Sequence, residues 1–120
     1  MKRFAYSFCR LGNQTERQIK SRFTPFSWVV KEYGGVKLDD YFQADRGVIE
    51  AANELAACEK LFFIYNWCCP AITGYTGPSM SVSDIVRLWD NETEPATKTI
   101  WFCDSVGFVR LDEDGKAIAE

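Results

Sequence analysis

Large apolar residues alternate with small or polar ones near the amino-terminal end of the chain. Within residues 3–9, Phe4, Tyr6 and Phe8 occupy every second position. Because successive side chains of a β-strand point to opposite faces, this period of two predicts a half-buried strand. Three later apolar segments also predict strands, at residues 82–89, 98–104 and 108–111. The polar residues between the first two of these segments include Pro95 and predict a hairpin turn.

The clearest helical pattern runs over residues 46–59. Its apolar residues, among them Ile49 and Leu55, recur at the spacing of one helix face. Asp45 stands where a residue that caps the helix amino terminus is expected. The next run, residues 61–65, is apolar and aromatic throughout, which is typical of a central strand buried on both faces.

A shorter helix is predicted nearer the amino terminus. Thr15 can cap it by accepting a hydrogen bond from a free amide of the first turn, and the helix extends to about Arg22. Residues 26–33 fit either a second helical segment or a strand, and the glycine pair 34–35 ends them. Residues 36–45 predict a loop that includes a short edge strand.

Together these elements predict an α+β fold. We expect a single small domain over residues 1–120, in which a mostly antiparallel sheet packs against one main helix (about 46–59) and the shorter amino-terminal helix. A length of 120 residues fits one domain. The hydrophobic content of 47% and the aromatic content of 15% supply enough apolar material for a core. A flexible carboxy-terminal tail is expected over about residues 112–120.

The net charge and the lengths of the apolar runs indicate where the protein is located and which classes of partner it binds. The net charge is −3, from 14 basic and 17 acidic residues, whereas a protein that binds duplex DNA is usually basic. No apolar run is long enough to span a bilayer or to form the core of a signal peptide. We therefore expect a cytoplasmic protein that binds neither duplex nucleic acid nor a membrane.

The residues available for catalysis are few. The chain has no histidine, which removes the commonest general base and every Ser-His-Asp or Cys-His arrangement. No P-loop or dinucleotide fingerprint is present, and a pair of carboxylates is the one catalytic arrangement left open. The five cysteines, two of them adjacent, suit free thiols better than a disulfide framework, and the lack of a C-x-x-C pair predicts no zinc site. We expect a binding protein without metal or cofactor, and not an enzyme.

A stretch of cationic and aromatic residues, at positions 10–28, is the first candidate site. Guanidinium groups clamp phosphates and aromatic rings stack on bases, so this mixture suits a small anionic, nucleotide-like ligand. The alternative is an amphipathic helix whose basic face is solvated and whose aromatic residues lie in the core. The candidate ligand-binding residues are Arg17, Arg22, Phe23 and Trp28, joined by Arg110 if the last strand lies nearby.

A serine-rich segment is the second candidate site. Ser79 and Ser81 alternate with apolar residues ahead of a predicted strand. Together with Asp104, they are candidate polar contacts to a ligand or a partner. The alternative, which the sequence favours, is that these side chains bond to the backbone amides of turns and strand ends, as Ser and Asp often do.

The same region resembles a known family. Residues 77–86 read G-P-S-M-S-V-S-D-I-V, and residues 101–108 read W-F-C-D-S-V-G-F. The order and spacing are similar to the YodL-like domain, whose pattern is a G-x-S-[LM]-S-V-S-D-[VI]-V strand, a hairpin and an aromatic strand that ends in D-S-x-G-F. The resemblance covers residues 77–109. It implies a place among the proteins of bacterial plasmids, transposons and phages.

That context implies a role against host defence. Small acidic proteins of phages and mobile elements bind a defence complex, or they sequester a cyclic ADP-ribose or cyclic oligonucleotide signal, as the Thoeris anti-defence proteins do. The chain is similar in kind to the second group, so we expect an anti-defence homo-oligomer that sequesters a nucleotide-derived immune signal in the bacterial cytoplasm. The alternative is a protein-interaction module that inhibits a host defence complex through exposed aromatic residues.

Overall fold

Five strands of the chain pair into one antiparallel sheet. A computed structural model describes residues 1–118 of the protein. The strands stand in the order β2-β1-β3-β4-β5 across the sheet. Their bounds are β1 (Lys2–Leu11), β2 (Tyr41–Ala51), β3 (Ile85–Asp90), β4 (Thr97–Cys103) and β5 (Phe108–Leu111).

Three α-helices connect the strands or cover the sheet. They are α1 (Glu16–Ser21), α2 (Phe26–Tyr33) and α3 (Glu54–Phe63). A short 3-10 turn, Leu38–Asp40, precedes β2, and a π-helical turn, Ile64–Cys68, continues α3. The predicted α+β fold, an antiparallel sheet with one main helix and shorter ones, is confirmed, although the bounds of the main helix differ. No helix among residues 1–118 is both long enough and apolar enough to cross a membrane.

The two faces of the sheet carry separate cores. On one face, alternate residues of the central strands are buried against α3, and they include Phe4, Phe8, Leu88 and Trp101. On the other face, Cys9, Ile85 and Phe102 are buried with Val29 of α2. The sheet is therefore the middle layer between α3 and α2.

The predicted helix over residues 46–59 is wrong in its first half. Residues up to Ala51 belong to β2, where Ile49 and Ala51 are buried while Val48 and Glu50 are exposed. Pairing with β1 over ten residues decides this conformation, because the antiparallel ladder supplies hydrogen bonds that helix propensity alone does not offset. The helix begins after Asn53, whose side chain accepts a hydrogen bond from the Ala56 amide at 2.8 Å. Asp45, the predicted cap, lies inside the strand.

The predicted central strand at residues 61–65 is also wrong. Its first three residues are the last turn of α3, and the rest form the π-helical turn. Leu61 and Tyr65 point into the core, whereas Phe63 is exposed to solvent. A continuous apolar run of this length fits a buried strand or a helix, and periodicity alone does not separate the two.

The amino-terminal predictions hold. Thr15 caps α1, and its side chain and that of Gln18 form a reciprocal capping box. Residues 26–33, which fitted helix or strand, form α2, and Gly34 ends the helix with φ at 79°. The Gly115 carbonyl in the carboxy-terminal turn accepts from the Val36 amide at 2.9 Å. Flexibility of the tail beyond this turn stays a prediction, and residues 119–120 lie outside the described part of the chain.

Candidate functional site

A buried ion pair joins β1 to the serine-rich loop that precedes β3. Arg10 Nη1 donates to the Asp84 carboxylate at 3.1 Å and to the Ser79 carbonyl at 2.6 Å. The Ser81 amide donates to the same carboxylate at 2.8 Å. Burial raises the pKa of Asp84 to about 7, although the Ser81 amide and Arg10 both favour its charged form. The loop therefore holds the Arg10 side chain in place. We call the four residues Arg10, Ser79, Ser81 and Asp84 the arginine clamp.

Ser83 ties the same loop to the segment between α1 and α2. Its hydroxyl accepts from the Phe23 amide at 3.0 Å, and its carbonyl accepts from the Tyr41 hydroxyl at 2.6 Å. Ser83 and Phe23 have positive φ, 85° and 63°. This left-handed conformation costs a non-glycine residue on the order of 1–2 kcal/mol. It turns the Phe23 ring out to solvent, where 63% of the residue is exposed.

Asp104 supplies the amino-terminal cap of α2 from a distant part of the chain. Pro25 precedes the helix and has no side-chain hydrogen bond to it. The Asp104 carboxylate instead accepts from the Phe26 amide at 3.0 Å and from the Ser105 amide at 2.8 Å. It therefore fixes both the start of α2 and the turn between β4 and β5.

The same turn lines a groove of about 320 Å³ beside α3. Phe62 of α3 and Phe108 of β5 line it, with ring centroids 6.5 Å apart. Glu59 adds a carboxylate to the lining. The remaining lining residues are Cys103, Asp104, Ser105 and Gly107, all within or directly beside the D-S-x-G-F segment. We call this the motif groove. Burial raises the pKa of the Cys103 thiol to about 12, so this cysteine is not a thiolate nucleophile at neutral pH.

Exposed aromatic rings extend the motif groove on its α3 side. Phe63 stacks on Trp67 with centroids 5.6 Å apart and planes 24° from parallel, and Phe62 contacts the same tryptophan at 6.5 Å. Trp67 is 69% exposed and Phe63 is 57% exposed. We call Phe62, Phe63 and Trp67 the aromatic rim. Large apolar rings held in contact at the surface are typical of a docking site for a partner.

Four of the predicted site residues meet at the arginine clamp or next to it. Ser79 and Ser81 bond to the side chains of Arg10 and Asp84 through their backbone atoms, and their hydroxyls take no part in these bonds. Phe23 is attached through Ser83, and Arg22 Nη2 donates to the Leu11 carbonyl at 3.1 Å. A fifth, Asp104, lines the motif groove.

The remaining three predicted residues do not join them. Arg17 donates to both oxygens of Asp40, at 2.7 and 2.9 Å, and lines a separate groove next to α2. Trp28 is half-buried against the α2 core and contacts Tyr33 edge-on at 5.9 Å. Arg110 lies opposite Trp101 on the α3 face of the sheet. Arg17 and Arg110, which the sequence predicts as candidates for one ligand site, therefore lie on opposite faces of the sheet.

The groove beside α2 is larger and cationic. It has a volume of about 450 Å³, and Arg17, Tyr33, Lys37 and Lys116 line it together with Asp114. Because Arg17 is paired with Asp40, the charge of the groove comes from Lys37 and Lys116, which together outweigh the single carboxylate of Asp114. We call it the lysine groove.

A chain of three hydroxyl and carboxyl groups lies on the α3 side of the sheet. Tyr65 donates to the Asp45 carboxylate at 2.6 Å, and its oxygen lies 2.8 Å from the Tyr6 hydroxyl. Burial raises the pKa of both tyrosines, so neither supplies a phenolate at neutral pH. Within residues 1–118, no group of three or more Cys, Asp or Glu side chains is placed to hold a metal ion.

The sequence did not reveal the aromatic rim or the motif groove. Phe63 and Trp67 are four positions apart, which is the spacing of neighbours on one helix face. The apolar run at residues 61–65 predicts a strand, and a strand does not bring these two positions together. Phe108 belongs to the family pattern, which does not indicate that its ring lines a groove.

Comparison with known proteins supports the family resemblance and extends it. The family model of the YodL-like domain matches residues 7–113. The match includes residues 7–11 of β1, the whole motif groove and every residue of the arginine clamp, whereas Asp114 and Lys116 of the lysine groove lie beyond it. No curated protein and no solved structure matches the chain significantly. The chain belongs to the family of YodL-like domains.

Proposed function

We propose that the protein works by binding rather than by catalysis, and that it docks a protein partner in the motif groove. The observation that carries this proposal is the exposed stack of Phe63 on Trp67 beside a groove built from the D-S-x-G-F segment. Exposing two large rings costs solvation free energy, which binding of a partner recovers. The family context suggests that the partner is a component of a host defence complex.

The chemistry of the groove defines the partner segment. Its two rings, Phe62 and Phe108, are in edge-to-face contact, and together they suit an apolar anchor side chain that packs against both. Glu59 is exposed at the same groove, whereas the Asp104 carboxylate already accepts two backbone hydrogen bonds. A basic residue next to the anchor would therefore pair with Glu59. The partner segment is apolar with a flanking Lys or Arg.

A pair of photo-crosslinking variants tests this surface. A photoreactive phenylalanine analogue at Trp67 should give one discrete adduct in bacterial cells that carry a defence system. The same analogue at Phe42, which is 51% exposed and lies on β2, should not capture this partner. With the captured partner purified, F63A and W67A should each weaken binding at least tenfold, while F42A leaves it unchanged. Equal effects at Phe42 and Trp67 would exclude the motif groove as the docking surface.

A second candidate function rests on the lysine groove. Its volume lies in the range that holds small molecules, and Lys37, Lys116 and Tyr33 combine cations with an aromatic ring, as a nucleotide-like ligand requires. In this proposal, the protein sequesters a cyclic ADP-ribose or cyclic oligonucleotide signal. Arg110 takes no part, because it faces α3 on the other side of the sheet.

Thermal melting against cyclic nucleotides and cyclic ADP-ribose isomers tests the second function. A ligand at 100 times its dissociation constant adds about 2.7 kcal/mol of stability. K37A combined with K116A should remove the shift, and R110A should retain it. No shift with the unmodified protein, at millimolar ligand, would leave only the protein-docking function.

A further inference from the structure

β2 is an edge strand whose outer side is long and open. It has 11 residues, and β1 is its one neighbour in the sheet. On the outer side, Lys60 Nζ donates to the Glu50 carbonyl at 3.1 Å through an exposed hydrogen bond. In an antiparallel ladder the backbone groups of successive residues face the two neighbours in turn. The Cys103 amide donates to the Asp84 carbonyl. Carried across the register of β3, β1 and β2, this alternation puts the amides and carbonyls of Arg46, Val48 and Glu50 on the outer side of β2. Such an edge is a template for a further strand.

The side chains on this edge have a self-complementary order. Arg46, Val48 and Glu50 alternate with residues whose side chains face α3, so all three side chains point to the opposite face of the sheet. All three residues are exposed. An antiparallel copy of this strand, centred on Val48, places Val48 against Val48 and Arg46 against Glu50. The same pairing occurs twice, because the arrangement has two-fold symmetry. Opposite charges directly across a ladder stabilise it, and like charges destabilise it.

A groove opens at this edge on the α3 side of the sheet. It has a volume of about 280 Å³, and its lining combines residues of β2 with Tyr6, Leu61, Ile64, Ile72 and Thr73. Val48 is 54% exposed and Ile72 is 65% exposed. An added strand would cover both apolar side chains, in addition to satisfying the open backbone groups.

We propose that two copies of this chain pair β2 against β2 and join their sheets into one continuous sheet. The register is centred on Val48, with Arg46 of each copy opposite Glu50 of the other. In the dimer, the exposed hydrogen bond from Lys60 Nζ to the Glu50 carbonyl is lost, and the backbone hydrogen bonds of the new ladder replace it. This dimer leaves the motif groove free, because that groove lies beside β5 at the other edge of the sheet.

Charge reversal at the two pairing positions tests the register. Sedimentation equilibrium should find the unmodified protein dimeric at micromolar concentration. R46E and E50R each put like charges in contact twice, so each should weaken the dimer at least tenfold. R46E combined with E50R restores opposite charges and should bring the dissociation constant back to within about threefold of the original, since a tenfold change is about 1.4 kcal/mol.

K98E is the matched control, because Lys98 lies on β4, away from the edge, and the substitution changes the net charge by the same amount as R46E. It should leave the dimer intact. Circular dichroism confirms that each variant is folded. A monomeric parent protein, single variants that dimerise as tightly as the parent, or a double variant that fails to recover would each overturn the proposed register.

Discussion

The backbone amide of Phe23 donates to the hydroxyl of Ser83 at 3.0 Å, and both residues have left-handed backbone conformations. The bond joins residues 60 positions apart in the sequence. It attaches the segment between α1 and α2 to the loop that carries the family pattern. Each of the two residues carries the conformational cost of a left-handed backbone. The hydrogen bond and the surrounding contacts must offset the sum of the two costs.

Two substitutions separate the hydroxyl of Ser83 from its backbone strain. S83A removes the acceptor, leaves the Phe23 amide without a partner and keeps a Cβ at positive φ. It should lower the free energy of unfolding by about 1–3 kcal/mol. S83G loses the same acceptor and relieves the strain, so it should be more stable than S83A by about 1 kcal/mol. Urea unfolding measures both, and an S83A variant that is the more stable of the two would contradict the strained geometry.

Asp84 should make stability depend on pH between about 4 and 7. Its pKa rises from the ordinary value of 3.8 to about 7 on folding. In that window the folded state holds a proton that the unfolded chain has released, so the free energy of unfolding falls as pH rises, by at most about 1.4 kcal/mol per unit. D84N should flatten this slope. Urea unfolding at intervals of about one pH unit, from about pH 4.5 to about pH 7.5, measures the slope. A slope that D84N leaves unchanged would assign the pH dependence to another group.

Tyr65 should matter more than Tyr6 within their hydrogen-bonded pair. Y65F removes the bond to Asp45 and the contact with Tyr6, whereas Y6F removes only the latter. Y65F should therefore cost about 1–3 kcal/mol of unfolding free energy, and Y6F about 1 kcal/mol. Both replacements keep the ring, so the edge-on contact between residues 6 and 65 and the packing of residue 65 against Phe8 are retained. Equal losses from the two variants would mean that the Asp45 contact contributes nothing.

Local signals in the sequence predicted much of the fold. The alternation around Phe4 to Phe8, the capping residue Thr15 and the hairpin near Pro95 each depend on near neighbours, and all three agree with the structure. The main errors fall on residues 46–65, where non-local pairing decides; smaller ones are the start of β2 at Tyr41 and of β3 at Ile85. Residues 46–51 form a strand because β1 offers a partner in register, and no window of the sequence contains that partner.

The site was less predictable than the fold for the same reason. Arg17 and Arg110 looked alike as free cations, but Asp40 pairs with one and the sheet separates it from the other. Ser79 and Ser81 hold Arg10 and Asp84 through backbone atoms, which the identity of their side chains does not indicate. The aromatic rim depended on the helix assignment, so the error at residues 61–65 concealed it.

The place of β3 in the middle of the sheet has a consequence while the chain is being made. β1 is synthesised first, but β3, its second neighbour, begins at Ile85. At a translation rate of 5–20 residues per second, this strand emerges roughly 4–15 seconds after β1. Over that interval β1 has one unpaired edge, and Phe4 and Phe8 lack part of their final cover. The nascent protein therefore exposes an unpaired strand edge and apolar side chains during elongation. A ribosome-associated chaperone would protect the strand in this interval.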